Sequence, residues 1–147
     1  MKHWYDLRVV DSAIEMDEEG EQVVHYEPRP GRHTRYKVTI RLEGVDLPYV
    51  EAVTYRLHRT FKERTRRVDR RILNPDCALT IWTWGLFVVR VVIHLKSGHQ
   101  IPVDHELHYD EAIRAVPPGK VRWIARRDGE AIRAVPPGKV LPWSASR

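Results

Sequence analysis

Apolar and polar side chains alternate through the middle of the chain. In YKVTIRL, Tyr36, Val38, Ile40 and Leu42 fall on one face while Lys37, Thr39 and Arg41 fall on the other, the two-residue period of a half-buried β-strand. VTYRLH repeats the pattern, with Val53, Tyr55 and Leu57 opposite Thr54, Arg56 and His58. FVVRVVIHL places Phe87, Val89, Val91, Ile93 and Leu95 opposite Arg90 and His94, and IPVDHELHY gives a fourth run. CALTIW supplies a shorter strand. Turn signals separate these runs: EGVDLP, then NPD ahead of Cys77, then KSGHQ, which reads as a hairpin through Ser97 and Gly98. WYDLRVV and EQVVHYE predict two further strands joined through the acidic DEEGE turn. Short, regularly spaced strands with no convincing helical period predict an all-β chain, an immunoglobulin-like antiparallel β-sandwich.

A length of 147 residues suits one domain with a real core. Its expected organisation is an acidic N-terminal arm over 1–33 carrying one or two strands, a sandwich core over 34–110, and a C-terminal extension over 111–147. That extension holds an internal duplication: EAIRAVPPGKV fills 111–121 and returns, identical, at 130–140. Two copies are too few to stack as a solenoid, and Pro-Pro-Gly interrupts helix and strand alike. One copy is expected to finish the domain and the other to form a loosely packed tail.

Charge changes the picture more than composition does. Residues 1–28 hold two basic and eight acidic side chains, whereas residues 56–71 hold eight basic and two acidic. The basic run RLHRTFKERTRRVDRR offers Arg64, Arg66, Arg67, Arg70 and Arg71 as nucleic-acid contacts. Two other readings of the run are a solvated strand edge that discourages edge pairing and a belt covered by the chain's own acidic arm. The single cysteine, Cys77, excludes an internal disulfide framework and a cysteine zinc site, and is expected to be a buried thiol. The longest apolar stretches are only a few residues and the N-terminus lacks a signal-peptide layout, so an intracellular protein with no membrane partner is expected, cytoplasmic in a prokaryote or nuclear in a eukaryote.

The stretch from Tyr49 to Asp110 carries a resemblance. Leu57-His58-x-Thr60-Phe61 closes one strand, Trp84-Gly85-x-Phe87 forms an aromatic-glycine turn before an apolar strand, and His105-x-Leu107 ends the next. In this order they resemble the YEATS domain family over about residues 34–110. The resemblance implies a non-catalytic reader whose loops form a slot for an acylated lysine, with His58, Thr60 and Phe61 as one wall and Trp84 with Gly85 as the other. Arg59, Thr83 and Leu86 depart from the family pattern, where many members carry Pro, Gly and an acidic residue.

The chemistry is reasonable on its own terms. An acylated lysine ends in a flat neutral amide on which aromatic faces stack, while an uncharged slot penalises the ammonium of unmodified lysine by desolvation. Thr60 is suited to bond the amide, and a backbone N–H near Trp84 the acyl carbonyl. Gly85, lacking Cβ, permits close approach of the backbone or a positive φ. His58 is expected to orient the slot. Trp82, two residues from Trp84, is expected to support the wall or merely pack.

No nucleophile triad with recognisable spacing and no phosphate-cradling glycine loop is visible, so no enzyme activity and no cofactor are expected. His94, His99, His105 and His108 raise the question of a metal, but alternation sends His105 and His108 to opposite faces of a strand and no further ligand set completes a site. The expected partner is an acylated-lysine peptide or protein. The alternative is a basic nucleic-acid-binding or protein-interaction module with a degenerate pocket.

Overall fold

The structure of the protein, a computed structural model, describes residues 4–117, 119–127 and 130–132. It is all-β, an immunoglobulin-like sandwich of two sheets. Among the described residues its strands are β1 (Arg8–Ser12), β2 (Ile14–Met16), β3 (Gln22–Glu27), β4 (Arg35–Glu43), β5 (Val50–Arg56), β6 (Thr65–Asp69), β7 (Leu79–Thr83), β8 (Val88–Leu95), β9 (Gln100–Glu106), β10 (Val121–Arg127) and β11 (Glu130–Ile132), with one α-helix, α1 (Tyr109–Ala115), and a short 3-10 turn at Leu47–Tyr49. The described residues form two compact units. The first draws on residues 4–11, 40–79 and 86–107, and the second on residues 12–39, 80–85 and the described residues from 108 onward.

The first unit contains the four-stranded antiparallel sheet β6-β5-β8-β9. The sequence alternation is realised there as burial: Val53, Tyr55 and Leu57 from β5 and its exit, and Val89, Val91, Ile93 and Leu95 from β8, are almost fully withdrawn from water. Each such aliphatic contributes about 1.5–3 kcal/mol. Alternation fails at one point, where Ala52 and Val53 are both buried. The β5–β8 register shifts between Val50 and Ala52, and a bulge of this kind turns two successive side chains inward. The turn before β5 depends on Gly44, whose φ is +142° and where a Cβ would lie 2.0 Å from the Asp6 carbonyl oxygen. Between β8 and β9, Leu95 and His99 close the expected hairpin with a 2.9 Å bond, and Gly98 takes a φ of +93°.

Cys77 is buried, as its sequence context suggests. It has a φ of +52°, and its carbonyl accepts a 2.6 Å bond from the Tyr55 hydroxyl. Burial pushes its thiol up to about 11.

In the second unit β3 pairs antiparallel with β4 (Tyr26 opposite Tyr36) and parallel with β10 (Val121–Ala125 opposite Gln22–Tyr26). The β3–β10 pair is parallel, a departure from the expected antiparallel arrangement. β2 lies on β3, and β11 lies antiparallel on β10. Tyr26 and Tyr36 both meet Trp123 edge-on, with ring centroids 6.2 and 6.4 Å apart, and all three are buried.

The N-terminal region holds three strands where one or two were expected, and β1 starts at Arg8, not at Trp4. The helix is a second departure. Tyr109 and Ile113, four apart, are buried on one face while Asp110 pairs with Arg114 at 2.7 Å. Seven residues are too few to register as a period, so tertiary burial makes this helix. It stops before Pro117, which disfavours helical backbone at its predecessor. The first repeat thus runs through α1 into β10. Of the second, Glu130–Ile132 forms β11 and the rest lies outside the described residues.

Candidate ligand-binding site

In the first unit the loop after β5 is closed by Leu57 N–H donating to Arg64 O at 2.6 Å. Inside it, Phe61 N–H donates to His58 O at 3.0 Å, making a tight turn over 58–61. His58 Nδ1 accepts the Thr60 backbone N–H at 3.3 Å and lies 3.0 Å from Thr60 Oγ1. A ring nitrogen that accepts a backbone N–H carries no proton, so the tautomer assigned to His58 is the Nε2–H form. The Thr60 hydroxyl proton then points at Nδ1, and its oxygen lone pairs remain available to a donor from outside. His58 and Thr60 are exposed and Phe61 is half-buried.

Phe87 joins these residues. Its ring centroid lies 5.7 Å from His58 and 5.6 Å from Phe61, both tilted. Reading the alternation placed Phe87 on the buried face of β8, but that strand begins at Val88 and Phe87 is only half-buried. The signal that identifies it is the aromatic-glycine turn, which ends on this residue.

Trp84 and Gly85 belong to the second unit, just after β7. Trp84 remains 43% exposed and stacks flat on His33, with centroids 4.1 Å apart and planes within 10°. Nothing in the sequence pattern links His33, in the β3–β4 connection, to Trp84. The Gly85 carbonyl accepts the Tyr109 hydroxyl at 3.1 Å. Gly85 is not among the positive-φ glycines, which corrects that part of the expectation. A Cβ there would meet nothing within 4 Å, so glycine leaves open space beside Trp84. Trp82 packs instead under the Arg126 guanidinium, 4.4 Å from the ring centroid. Of the three departures from the family pattern, Thr83 is buried while Arg59 and Leu86 are exposed.

The basic run forms β6, an edge strand, and its flanks. Arg67 lies 3.1 Å from Asp69 and 3.9 Å from Glu51, Arg71 lies 3.2 Å from Asp69, and Arg66 lies 3.7 Å from Glu63. Arg70 donates to the Pro75 carbonyl at 2.9 Å, and Arg64 is exposed. Several of the arginines are therefore engaged by acids next to them in the strand pair. Within the acidic arm, Asp6 meets Arg8, Glu15 meets Lys37, Glu27 meets Arg35 and Asp17 meets Arg122. Backbone N–H groups of Glu21 and Glu19, with Arg122, hold the Asp17 carboxyl below its usual range.

Two of the histidines bond side chains within the first unit. His94 bonds Thr54 at 2.8 Å and His105 bonds Asp11 at 2.6 Å. The face argument that set His105 against His108 does not apply, because β9 ends at Glu106 and His108 is the N-cap of α1.

Residues 36–108 match the family model of the prokaryotic YEATS domain. The chain belongs to the YEATS domain family. Its fold agrees with that of a YEATS-family relative: the crystal structure of yeast AF-9 homolog protein Yaf9 matches with a TM-score of 0.51 at 19% identity, covering 71% of this chain and 66% of that one. The chain thus spans just under two thirds of that relative. The Yaf9 YEATS domain recognizing the H3K122suc peptide matches at 17% identity with a TM-score of 0.47, and the Yaf9 YEATS domain bound to H3K27ac at 16% with 0.46; each alignment covers 74% of this chain and 78% of the other. The curated proteins gave no match. Among the described residues no helix is long and apolar enough to cross a membrane. The Leu57–Phe61 and Trp84–Phe87 motifs lie within the matched YEATS segment.

Proposed function

We propose that this YEATS chain is a non-catalytic recognition module for an acylated lysine side chain, with His58, Thr60, Phe61, Trp84 and Gly85 as its binding residues. The observation that carries the reading is the His58–Thr60 arrangement. Because Nδ1 already accepts the Thr60 N–H at 3.3 Å, the Thr60 hydroxyl turns its lone pairs outward as an acceptor for a ligand amide N–H. Phe61 and Phe87, tilted against one another, supply apolar contact beside it. Trp84, with His33 on one face, has the other face for a planar group, and Gly85 keeps the space next to it clear.

This chemistry favours a neutral amide. The ammonium of unmodified lysine is a donor like the amide but loses its hydration on leaving water, a cost that acylation removes. His58 serves as an orienting group, since its Nδ1 lone pair is shared between two donors from Thr60.

Calorimetric titration with unmodified, acetylated and crotonylated lysine peptides tests the reading. The acylated peptides are expected to bind about tenfold more tightly than the unmodified one, or about 1.4 kcal/mol. Phe61→Ala and Trp84→Ala should each remove about 1 kcal/mol of that affinity. Equal binding of all three peptides, unchanged in Trp84→Ala, would falsify it.

A further inference from the structure

At the far end of β6 from His58 the chain makes a second, tighter turn. Arg71 and Asn74 exchange backbone hydrogen bonds at 3.2 and 2.9 Å, which leaves Ile72 and Leu73 as the two residues of the turn itself. Their side chains are 95% and 97% exposed. Turns this short draw on Gly, Asn, Asp and Pro because those residues favour the backbone conformations required. Two large aliphatics, one of them β-branched, add nothing to the turn and forgo about 1.5–3 kcal/mol each of burial.

The backbone that presents them is braced. The Asn74 side chain accepts Ala78 N–H at 2.9 Å and donates to Ala78 O at 3.0 Å, and Arg70 bonds both Glu51 O and Pro75 O at 2.9 Å. Ile72 and Leu73 are therefore held outward on a fixed support, the preorganised state in which apolar anchors bind best.

Among the described residues the turn continues a sheet edge on which no further strand pairs. β6 is the outermost strand of its sheet. Arg64 O and Arg70 N–H bond back to β5, so by antiparallel alternation the N–H and C=O groups of Thr65, Arg67 and Asp69 point away from it. The charge of this edge decides between partners. Residues 56–71 carry eight basic and two acidic side chains, an excess that local pairing with Glu51, Glu63 and Asp69 reduces without removing. Like charges oppose pairing with a second copy of β6, whereas an acidic strand is attracted. A nucleic acid would use the arginines but neither the outward amides nor the two aliphatics. A membrane would take the aliphatics and the arginines but leave the edge unpaired.

We propose that β6 and the Ile72–Leu73 turn together form a docking surface for an extended acidic segment of a partner protein, which adds a strand to β6 and seats its own apolar residues on Ile72 and Leu73. This surface does not depend on the acyl-lysine reading.

The probe is a fluorescein-labelled peptide of alternating glutamate and valine ending in two leucines, with an alternating lysine and valine peptide, duplex DNA and phosphatidylserine vesicles run beside it. The glutamate peptide is expected to bind and to slow hydrogen exchange at the Thr65, Arg67 and Asp69 amides. Ile72→Asp with Leu73→Asp should weaken it about tenfold, Arg67→Glu about fivefold, and Trp84→Ala less than about twofold. The exposed positions leave the melting temperature unchanged, which separates lost docking from lost folding. The proposal is overturned if the glutamate peptide fails to bind, if it binds the double variant equally well, or if that variant instead loses binding to DNA or vesicles or changes its own oligomeric state.

Discussion

Trp123 and Trp84 belong to the same compact unit and are used in opposite ways. Trp123, on β10, is 2% exposed and wedged edge-on between Tyr26 and Tyr36, while Trp84, after β7, is 43% exposed with one flat contact to His33. The first converts nearly all of its apolar surface into folding stability. The second leaves a large part of it in water, the arrangement that the proposed binding role requires of it. The same contrast recurs in the first unit between buried Tyr55, whose hydroxyl is satisfied by Cys77 O, and half-buried Phe61. Exposure of an aromatic separates candidate site from core more sharply than residue type does.

The largest test of that contrast is stability. Trp123→Ala is expected to cost about 3–5 kcal/mol in urea denaturation, and Trp84→Ala less than about 1 kcal/mol. Comparable losses at both positions would erase the distinction. Tyr55→Phe comes next, because it leaves the buried Cys77 carbonyl without its donor. About 1–2 kcal/mol should be lost, whereas Phe61→Leu should leave the melting temperature nearly unchanged and weaken acyl-lysine binding.

The Cys77 thiol sharpens the burial side. Folding raises it from 9.0 to about 11, so between those values the unfolded chain has released a proton that the folded chain retains. Stability should therefore fall as pH rises from about 9 to 11 and be fully present below that window. Cys77→Ala should flatten this slope in urea denaturations run across the range. A smaller effect is expected at Gly85→Ala, since a Cβ there meets nothing within 4 Å. Folding stability should move by under about 0.5 kcal/mol, while affinity for an acetyl-lysine peptide drops as the methyl enters the space beside Trp84. Smallest of all is the response of duplex DNA binding to Arg66→Gln, Arg67→Gln, Arg70→Gln and Arg71→Gln together. With several of these arginines already engaged by Glu51, Glu63 and Asp69, the salt slope should fall by less than the about 0.9 per phosphate contact expected of free arginines.

Part of the candidate site's local geometry was legible beforehand. His58, Thr60 and Phe61 are readable because they follow one another on a turn, where spacing alone brings them together. Phe87 and His33 were not. Phe87 sits one residue ahead of β8, where an alternating pattern cannot distinguish the last loop residue from the first strand residue. His33 reaches Trp84 across fifty-one positions of chain, and no local pattern reports a contact of that separation. The Ile72–Leu73 turn was hidden for a different reason: two aliphatics beside β-strands read as core until the paired backbone of Arg71 and Asn74 fixes them at a tip.

The sequence by itself determined β5, β8 and β9 of the first unit's sheet, because a two-residue period with one apolar face has one low-energy arrangement in water, whereas β6, TRRVD, has no apolar face and takes its place from pairing with β5. It did not determine α1. Glu-Ala-Ile is helical at 111–113 and extended at 130–132, identical residues in two conformations. In α1 the choice follows from Tyr109 and Ile113 being buried on one helical face, and at 130–132 from the hydrogen-bonding partner that β10 offers. Local propensity differs between these states by a few tenths of a kcal/mol per residue, and tertiary burial and strand pairing outweigh it.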